Sequence, residues 1–222
     1  MKINLTNTQL FRGIDSAEIK PLLSCLGVIE RNFKKGDIIL AEGEPTDQMG
    51  VVLSGMVLIE HCDVWGNRIL LGNAAPGAVF AESYACIPGE PLQISVVASE
   101  DTSVLFLNVG KVLTTCTNSC EFHTKLVRNL LTVCAGKSLD LSRRILHSTS
   151  KSIRGRLMSY FSECIKKSGS YSFEIPYNRE QLASYLGVDR SAMSNELSKM
   201  KKEGLIQYHK NHFTIIESAN LS

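Results

Sequence analysis

Between Asn178 and Ile206 the chain reads NREQLASYLGVDRSAMSNELSKMKKEGLI, and its polar residues are spaced to present one slender hydrogen-bonding surface. At ~100° per helical residue, Arg190, Ser191, Ser194, Asn195 and Ser198 fall within an arc of roughly 140°. Met193, Leu197 and Met200 follow the i, i+4, i+7 pattern and must face a core. A guanidinium can bridge the two acceptors that guanine offers in a DNA major groove, a carboxamide can pair with adenine, and a hydroxyl adapts to either. Arg190, Ser191, Ser194 and Asn195 are therefore the candidate base readers. Lys199, Lys201 and Lys202, with Arg179 upstream, are placed to meet phosphates, which set register without reading sequence. The plainer alternative is a solvated helix face; the two-helix frame around the arc favours the groove.

That frame is legible in the flanking residues. Leu182 and Leu186 lie one turn apart on a preceding helix, and small Ala183 permits close approach. Gly187 supplies the conformation that leaves a helix and reverses the chain, and Asp189 is an N-cap for the helix that follows. Beyond Gly204, Leu205–Tyr208 and Phe213–Ile216 read as two β-like runs around Lys210-Asn211-His212, a wing. Upstream, polar Ser148-Thr149-Ser150-Lys151-Ser152 reads as a hinge or cap before a helix from Ile153 to Lys166.

Glu121 to Leu146 contains no proline and a single glycine, Gly136, and its apolar residues recur at helical spacing. Phe122, Leu126, Leu130, Val133 and Leu141 form the stripe expected to pair with a partner helix about a two-fold axis. Leu131, Cys134 and Leu139 widen it, so the helix is expected to pack both on its own domain and on a partner. The alternative is a core helix of a single domain.

From Gly27 to Gly89 the chain carries nine of its sixteen glycines. They separate short runs such as Asp37–Ala41, Val51–Ser54, Val57–Glu60 and Arg68–Leu71, and Ile94–Val97 with Ser103–Leu107 continues the pattern. Punctuation this dense belongs to strands, and a compact antiparallel sandwich or barrel follows. The expected class is α+β: a β-rich sensor over residues 1–115, a dimerisation helix over 116–147, and a winged helix-turn-helix over 148–222.

Charge divides along the same lines. Residues 1–115 hold 8 Lys/Arg against 13 Asp/Glu, whereas residues 151–211 hold 11 against 6, so a polyanion is expected to meet only the C-terminal end. No apolar run approaches the ~20 residues of a membrane span, and Met1–Leu10 lacks a signal-peptide pattern. Seven cysteines without dense spacing fit free thiols in a reducing compartment. The expected location is the cytoplasm. No G-x-S-x-G elbow, P-loop or H-E-x-x-H motif is present and the five histidines are scattered, so no enzyme is expected.

On these two anchors, the helix-turn-helix and the glycine-punctuated strands, the chain resembles the cAMP receptor protein/FNR (CRP/FNR) family of transcription regulators. Arg190 matches the family's principal base-reading arginine, and Ser191, Ser194 and Asn195 its other reading positions. Gly36 and Gly55 match turns of the family's β-roll, a jelly roll like that of cyclic-nucleotide-binding domains. Pro76-Gly77-Ala78-Val79-Phe80-Ala81-Glu82 resembles the segment leading into its phosphate cassette. The resemblance implies a homodimer on a two-fold symmetric operator in double-stranded DNA, and contact with RNA polymerase. It also implies a departure: cAMP-binding members pair Gly-Glu-Leu with a later Arg-Ser, where this chain has Ala81-Glu82-Ser83 and Leu92-Gln93. Without the guanidinium a buried phosphate is uncompensated, so cAMP is not expected as effector.

By family analogy, a different small molecule is expected near Glu82, Ser83, Tyr84, Gln93, Lys137 and Ser138. Two alternatives are a cysteine-based redox or metal sensor, for which Cys116, Cys120 and His123 are the one close grouping, and a regulator without effector. An iron-sulfur cluster needs four cysteines, and the N-terminal region has only Cys25. His61 and Cys62, adjacent on a strand, point to opposite faces and do not suit one haem iron. No metal site is expected.

Overall fold

A computed structural model describes residues 3–65, 68–114 and 121–216. The chain divides into two compact units, Met1–Gly136 and Lys137–Ser222.

In the first unit, helix α1 (Ser16–Leu26) precedes β1 (Ile29–Phe33), β2 (Ile38–Leu40), β3 (Gln48–Ser54), β4 (Val57–Cys62), β5 (Arg68–Ala74) and β6 (Val79–Phe80). Short α2 (Glu82–Ala85) leads to β7 (Ser95–Ala98), β8 (Thr102–Asn108) and α3 (Val109–Leu113). The strands form two four-stranded antiparallel sheets, ordered β1-β8-β3-β6 and β2-β7-β4-β5. Alternation along β8 shows how they are used. Val104 and Phe106 point into the sandwich with Val52, Val57, Phe80 and Val96, whereas Leu105 and Leu107 point outward under a helical layer with Leu22, Leu26 and Leu126. A sheet covered on both faces explains why Ser103–Leu107 is a continuous apolar run after its first residue. Gly55 has φ 79°, and a Cβ there would stand 2.6 Å from the Asp101 carbonyl oxygen and 2.8 Å from Thr102 Cα. Backbone atoms cannot yield, so this turn requires glycine.

The expected strands are present, and β1, β6 and α1 to α3 join them. The strand β1, IERNF, escaped the pattern because four of its five residues are exposed at a sheet edge.

Helix α4 (Glu121–Ser148) runs from the first unit into the second. The structure corrects the expected partner stripe. Leu126, Leu130 and Val133 are only 0, 2 and 6% exposed, in the core of their own chain, and Phe122 packs against that core. The Asn129 side-chain amide fastens the same face, donating to the carbonyls of Leu10 and Arg12 at 2.9 and 2.8 Å. On the opposite face Leu131, Leu139, Ile145 and Leu146 are 57–68% exposed, and Ala135, Ser138 and Ser142 are exposed between them. Leu141, 60% exposed, lies at the flank of that second face.

The second unit contains the end of α4, then α5 (Ile153–Ser168), β9 (Ser172–Glu174), α6 (Arg179–Leu186), α7 (Arg190–Lys202), β10 (Ile206–His209) and β11 (His212–Ile215). The three strands form an antiparallel sheet ordered β10-β11-β9. Its core joins Leu157 and Phe161 of α5, Leu182 and Leu186 of α6, Met193, Leu197 and Met200 of α7, and Phe213 of the wing.

Candidate nucleic-acid interface

The turn of the helix-turn-helix is that expected from Gly187 and Asp189, and the structure adds a cap at the start of α6. A capping box opens α6: Gln181 N donates to Asn178 Oδ1 and Asn178 N to Gln181 Oε1, both at 2.9 Å. Gly187, at φ 63°, ends it in the left-handed region. Asp189 then caps α7, accepting from Ala192 N at 2.7 Å.

On α7 the apolar and polar residues divide between two faces. Met193, Leu197 and Met200 are at most 1% exposed, while Arg190, Ser191, Asn195 and Ser198 are exposed and Ser194 half-buried. The Ser198 hydroxyl donates to the Ser194 carbonyl at 2.9 Å, so it serves its own helix. Lys199, Lys201 and Lys202 are exposed in the last turn, where positive charge also suits the helix dipole. The Lys201 ammonium lies 5.0 Å from the Tyr208 ring centroid.

Arg179 is placed differently from its expected role. Its guanidinium lies 5.0 Å from the Tyr208 ring centroid and 4.9 Å from that of Phe213, and donates to the Lys210 carbonyl at 2.8 Å. Burial pulls its pKa below the ordinary value. It locks the wing to α6, and beside it Pro176, Asn178, Lys210 and Asn211 line a cavity of about 410 Å³.

Three arginines missed at the level of sequence hold the helix-turn-helix in place. Arg154 bridges Glu196 on α7 (Nε to Oε1, 2.6 Å) and Glu203 (2.8 Å), and those bonds hold Arg154 above and Glu203 below their ordinary pKa values. Arg156 donates to the carbonyls of Ser150, Leu186 and Gly187 at 2.8, 2.9 and 2.9 Å. Arg144, on α4, donates to the carbonyls of Ser184 and Tyr185 at 2.8 and 3.1 Å. One signal was available: Arg154 and Arg156 sit in the first turn of α5, where cations oppose the helix dipole and so call for partners elsewhere.

Two family models match the chain, a cyclic nucleotide-binding domain over residues 30–119 and a Crp-like helix-turn-helix domain over residues 155–222. The chain belongs to the CRP/FNR family of transcription regulators. It is 21% identical over 219 residues to the CRP-like cAMP-activated global transcriptional regulator of Mycobacterium tuberculosis, covering 98% of this chain and 96% of that one. To the cyclic AMP receptor protein of Thermus thermophilus it is 24% identical over 224 residues, with the same coverage. Among solved structures, OCPA-complexed CprK matches 88% of this chain and 91% of its own with TM-score 0.63 at 19% identity, a likeness of fold.

In this CRP/FNR regulator the residues expected around an effector are distributed between the units. Glu82, 3% exposed, opens α2; its carboxylate accepts from Ser83 Oγ at 3.4 Å. Ser83 and Gln93 are exposed and Tyr84 half-buried, all in the first unit, whereas exposed Lys137 and Ser138 belong to the second. Leu92 is buried, its amide donating to the Glu44 carbonyl at 3.0 Å and its carbonyl accepting from Gly43 N at 2.7 Å. Ala81 stands at φ 59°, left-handed, where the cAMP-binding members carry glycine. His61 Nδ1 lies 3.1 Å from both the Glu42 carboxylate and the Gln93 carbonyl. No cluster of three or more metal-ligating side chains occurs among the described residues; Cys116 and Cys120 lie outside them. No described helix is long and apolar enough to cross a membrane.

Proposed function

We propose that this chain is a cytoplasmic homodimer that reads a two-fold symmetric operator with α7, under control of a small-molecule effector other than cAMP. The observation that carries the DNA-reading part is the division of α7: a fully buried apolar face behind an arc of exposed Arg190, Ser191 and Asn195 with half-buried Ser194 between them. In this reading Arg190 takes the two acceptors of a guanine and Asn195 pairs with an adenine farther along the half-site. The serines leave room for close approach. Lys199, Lys201 and Lys202 meet phosphates, and Arg179 acts through the wing it holds. The second face of α4 is the dimer seam, with Leu131, Leu139, Ile145 and Leu146 around small Ala135 and Ser142. The bound dimer then meets RNA polymerase, as the family does.

Effector binding beside Glu82, Ser83, Tyr84 and Gln93 shifts the population between conformers that hold the two recognition helices differently. It does so only to the extent that the ligand prefers one of them. The test is Arg190→Ala on an operator selected from random duplexes. Affinity should fall by roughly 1–3 kcal/mol with base preference relaxed at one position, whereas Lys201→Ala should weaken all sequences alike and lower the salt slope by about one. An Arg190→Ala protein that discriminates operator from scrambled duplex as wild type does refutes the assignment.

A further inference from the structure

The C-terminal carbonyls of α6 have two guanidiniums upon them, and the two come from different helices. Arg156 on α5 takes Leu186 and Gly187; Arg144 on α4 takes Ser184 and Tyr185. A helix C-terminus carries unpaired acceptors and partial negative charge, so charge-assisted donors there are among the stronger contacts available on a surface. Arg156 also holds the Ser150 carbonyl, so its bonds stay between the start of α5 and the turn. Arg144 instead ties that turn to α4.

One turn later on the same side of α4, His147 is 2% exposed and secures the helix to α5. Its Nε2 lies 2.6 Å from Glu163 Oε2 and its Nδ1 3.1 Å from Ser159 Oγ. At ~100° per residue, Arg144 and His147 project on the side of α4 opposite Ser142, Ile145 and Leu146. These three seam residues, both anchors and the whole helix-turn-helix lie within the second compact unit.

We infer that Arg144 is a positioning residue: through its bonds to the Ser184 and Tyr185 carbonyls, the lie of α4 at the dimer seam is imposed on the recognition helix, which makes Arg144 a determinant of half-site spacing. The inference rests on the reading of a DNA-bound dimer paired through α4. Arg190 and Asn195 choose bases within a half-site; Arg144 sets how far apart, and at what rotation, two half-sites must stand. Because Arg156 still caps Leu186 and Gly187 when Arg144 is removed, the reading surface of a single subunit survives the loss.

The experiment uses the full chain and four duplexes: the operator selected by wild type, the same operator with its spacer one base pair longer or shorter, and a single half-site. One base pair moves the half-sites by ~3.4 Å and turns them by ~34°. Wild type should lose about tenfold or more on either altered spacer, the order of one mismatched contact. Arg144→Ala should bind the three full operators within about threefold of one another and the single half-site within about twofold of wild type. Arg144→Lys, which keeps the charge and one donor, should fall between, and it carries the test if the alanine variant does not fold. Arg156→Ala should lose half-site affinity as well. The inference is overturned if both Arg144 variants keep the wild-type spacer preference, or lose half-site and operator binding in equal proportion, as a purely structural role would give. A wild-type protein that is monomeric, or indifferent to spacer length, sinks the dimer reading itself, and that result is distinct from either Arg144 outcome.

Discussion

At the scale of single residues, the departure at the expected effector site is chemical and conformational together. Leu92 and Gln93 occupy the stretch where the resemblance calls for Arg-Ser, and Leu92 is buried with its backbone fully paired. Nothing in that pair can neutralise a phosphate. Ala81 holds a left-handed backbone that costs an L-residue roughly 1–2 kcal/mol over glycine, a feature of the kind that persists where the surroundings over-determine it. The expected outcome of a calorimetric cAMP titration is no heat of binding, with operator affinity unchanged by the nucleotide. Saturable micromolar binding would show that a cation from elsewhere in the chain supplies the missing charge.

At the scale of elements, the junction of α4 with α5 is an ion-pair cluster laid on an aromatic floor. Glu163 accepts from His147 and pairs with Lys167, with Arg143 Nε at 3.7 Å, and Arg143 pairs with Asp140 at 2.9 Å. Tyr160, Tyr177 and Tyr185 cluster beside it at centroid separations of 5.0–6.1 Å, Tyr177 stacked on Tyr185 and Tyr160 tilted against both; burial pushes the Tyr185 hydroxyl up to about 12 and raises the other two. The phenols are therefore neutral at any physiological pH. Burial alone would raise the Glu163 carboxyl, but its bonds to Lys167 and His147 outweigh that and hold it below the ordinary carboxylate value. A lowered folded-state pKa stabilises fully above the unfolded value and is lost as pH falls through the folded one. Glu163→Gln should therefore lower the thermal midpoint at about pH 6, and the difference from wild type should shrink as pH drops below ~4.3. Thermal melts of both proteins across that range check it; a difference that persists undiminished at about pH 3 would exclude the ionised carboxylate as its source.

At the scale of the whole molecule, α4 has two apolar faces, one buried in its own chain and one exposed, the latter being the seam proposed above. Leu130→Ala deletes core volume and should cost about 2–5 kcal/mol of stability. Ala135→Glu leaves an exposed helical position with a good helix former, so stability should be nearly unchanged, while a two-fold seam would bring two like charges together. Sedimentation should then show a dimer for wild type and a monomer for Ala135→Glu. A dimer that survives this substitution would place the seam on some other surface.

Much of the fold and of the candidate interface was legible without coordinates, because the signals are local. The left-handed exit at Gly187, the cap at Asp189 and the alternation of faces along α7 each involve residues within about one helical turn. Strand runs separated by Gly36 and Gly55 were readable for the same reason. Tertiary structure decided what depends on chain-distant partners. It assigned Leu126, Leu130 and Val133 to the chain's own core, because apolar spacing defines faces but not what covers them. It turned Arg179 toward the wing, and it brought Arg144, Arg154 and Arg156 to partners 30 to 49 positions away. A guanidinium on a long flexible stem carries no periodicity of its own, so its partner is settled only when the core has placed the carbonyls and carboxylates within its reach.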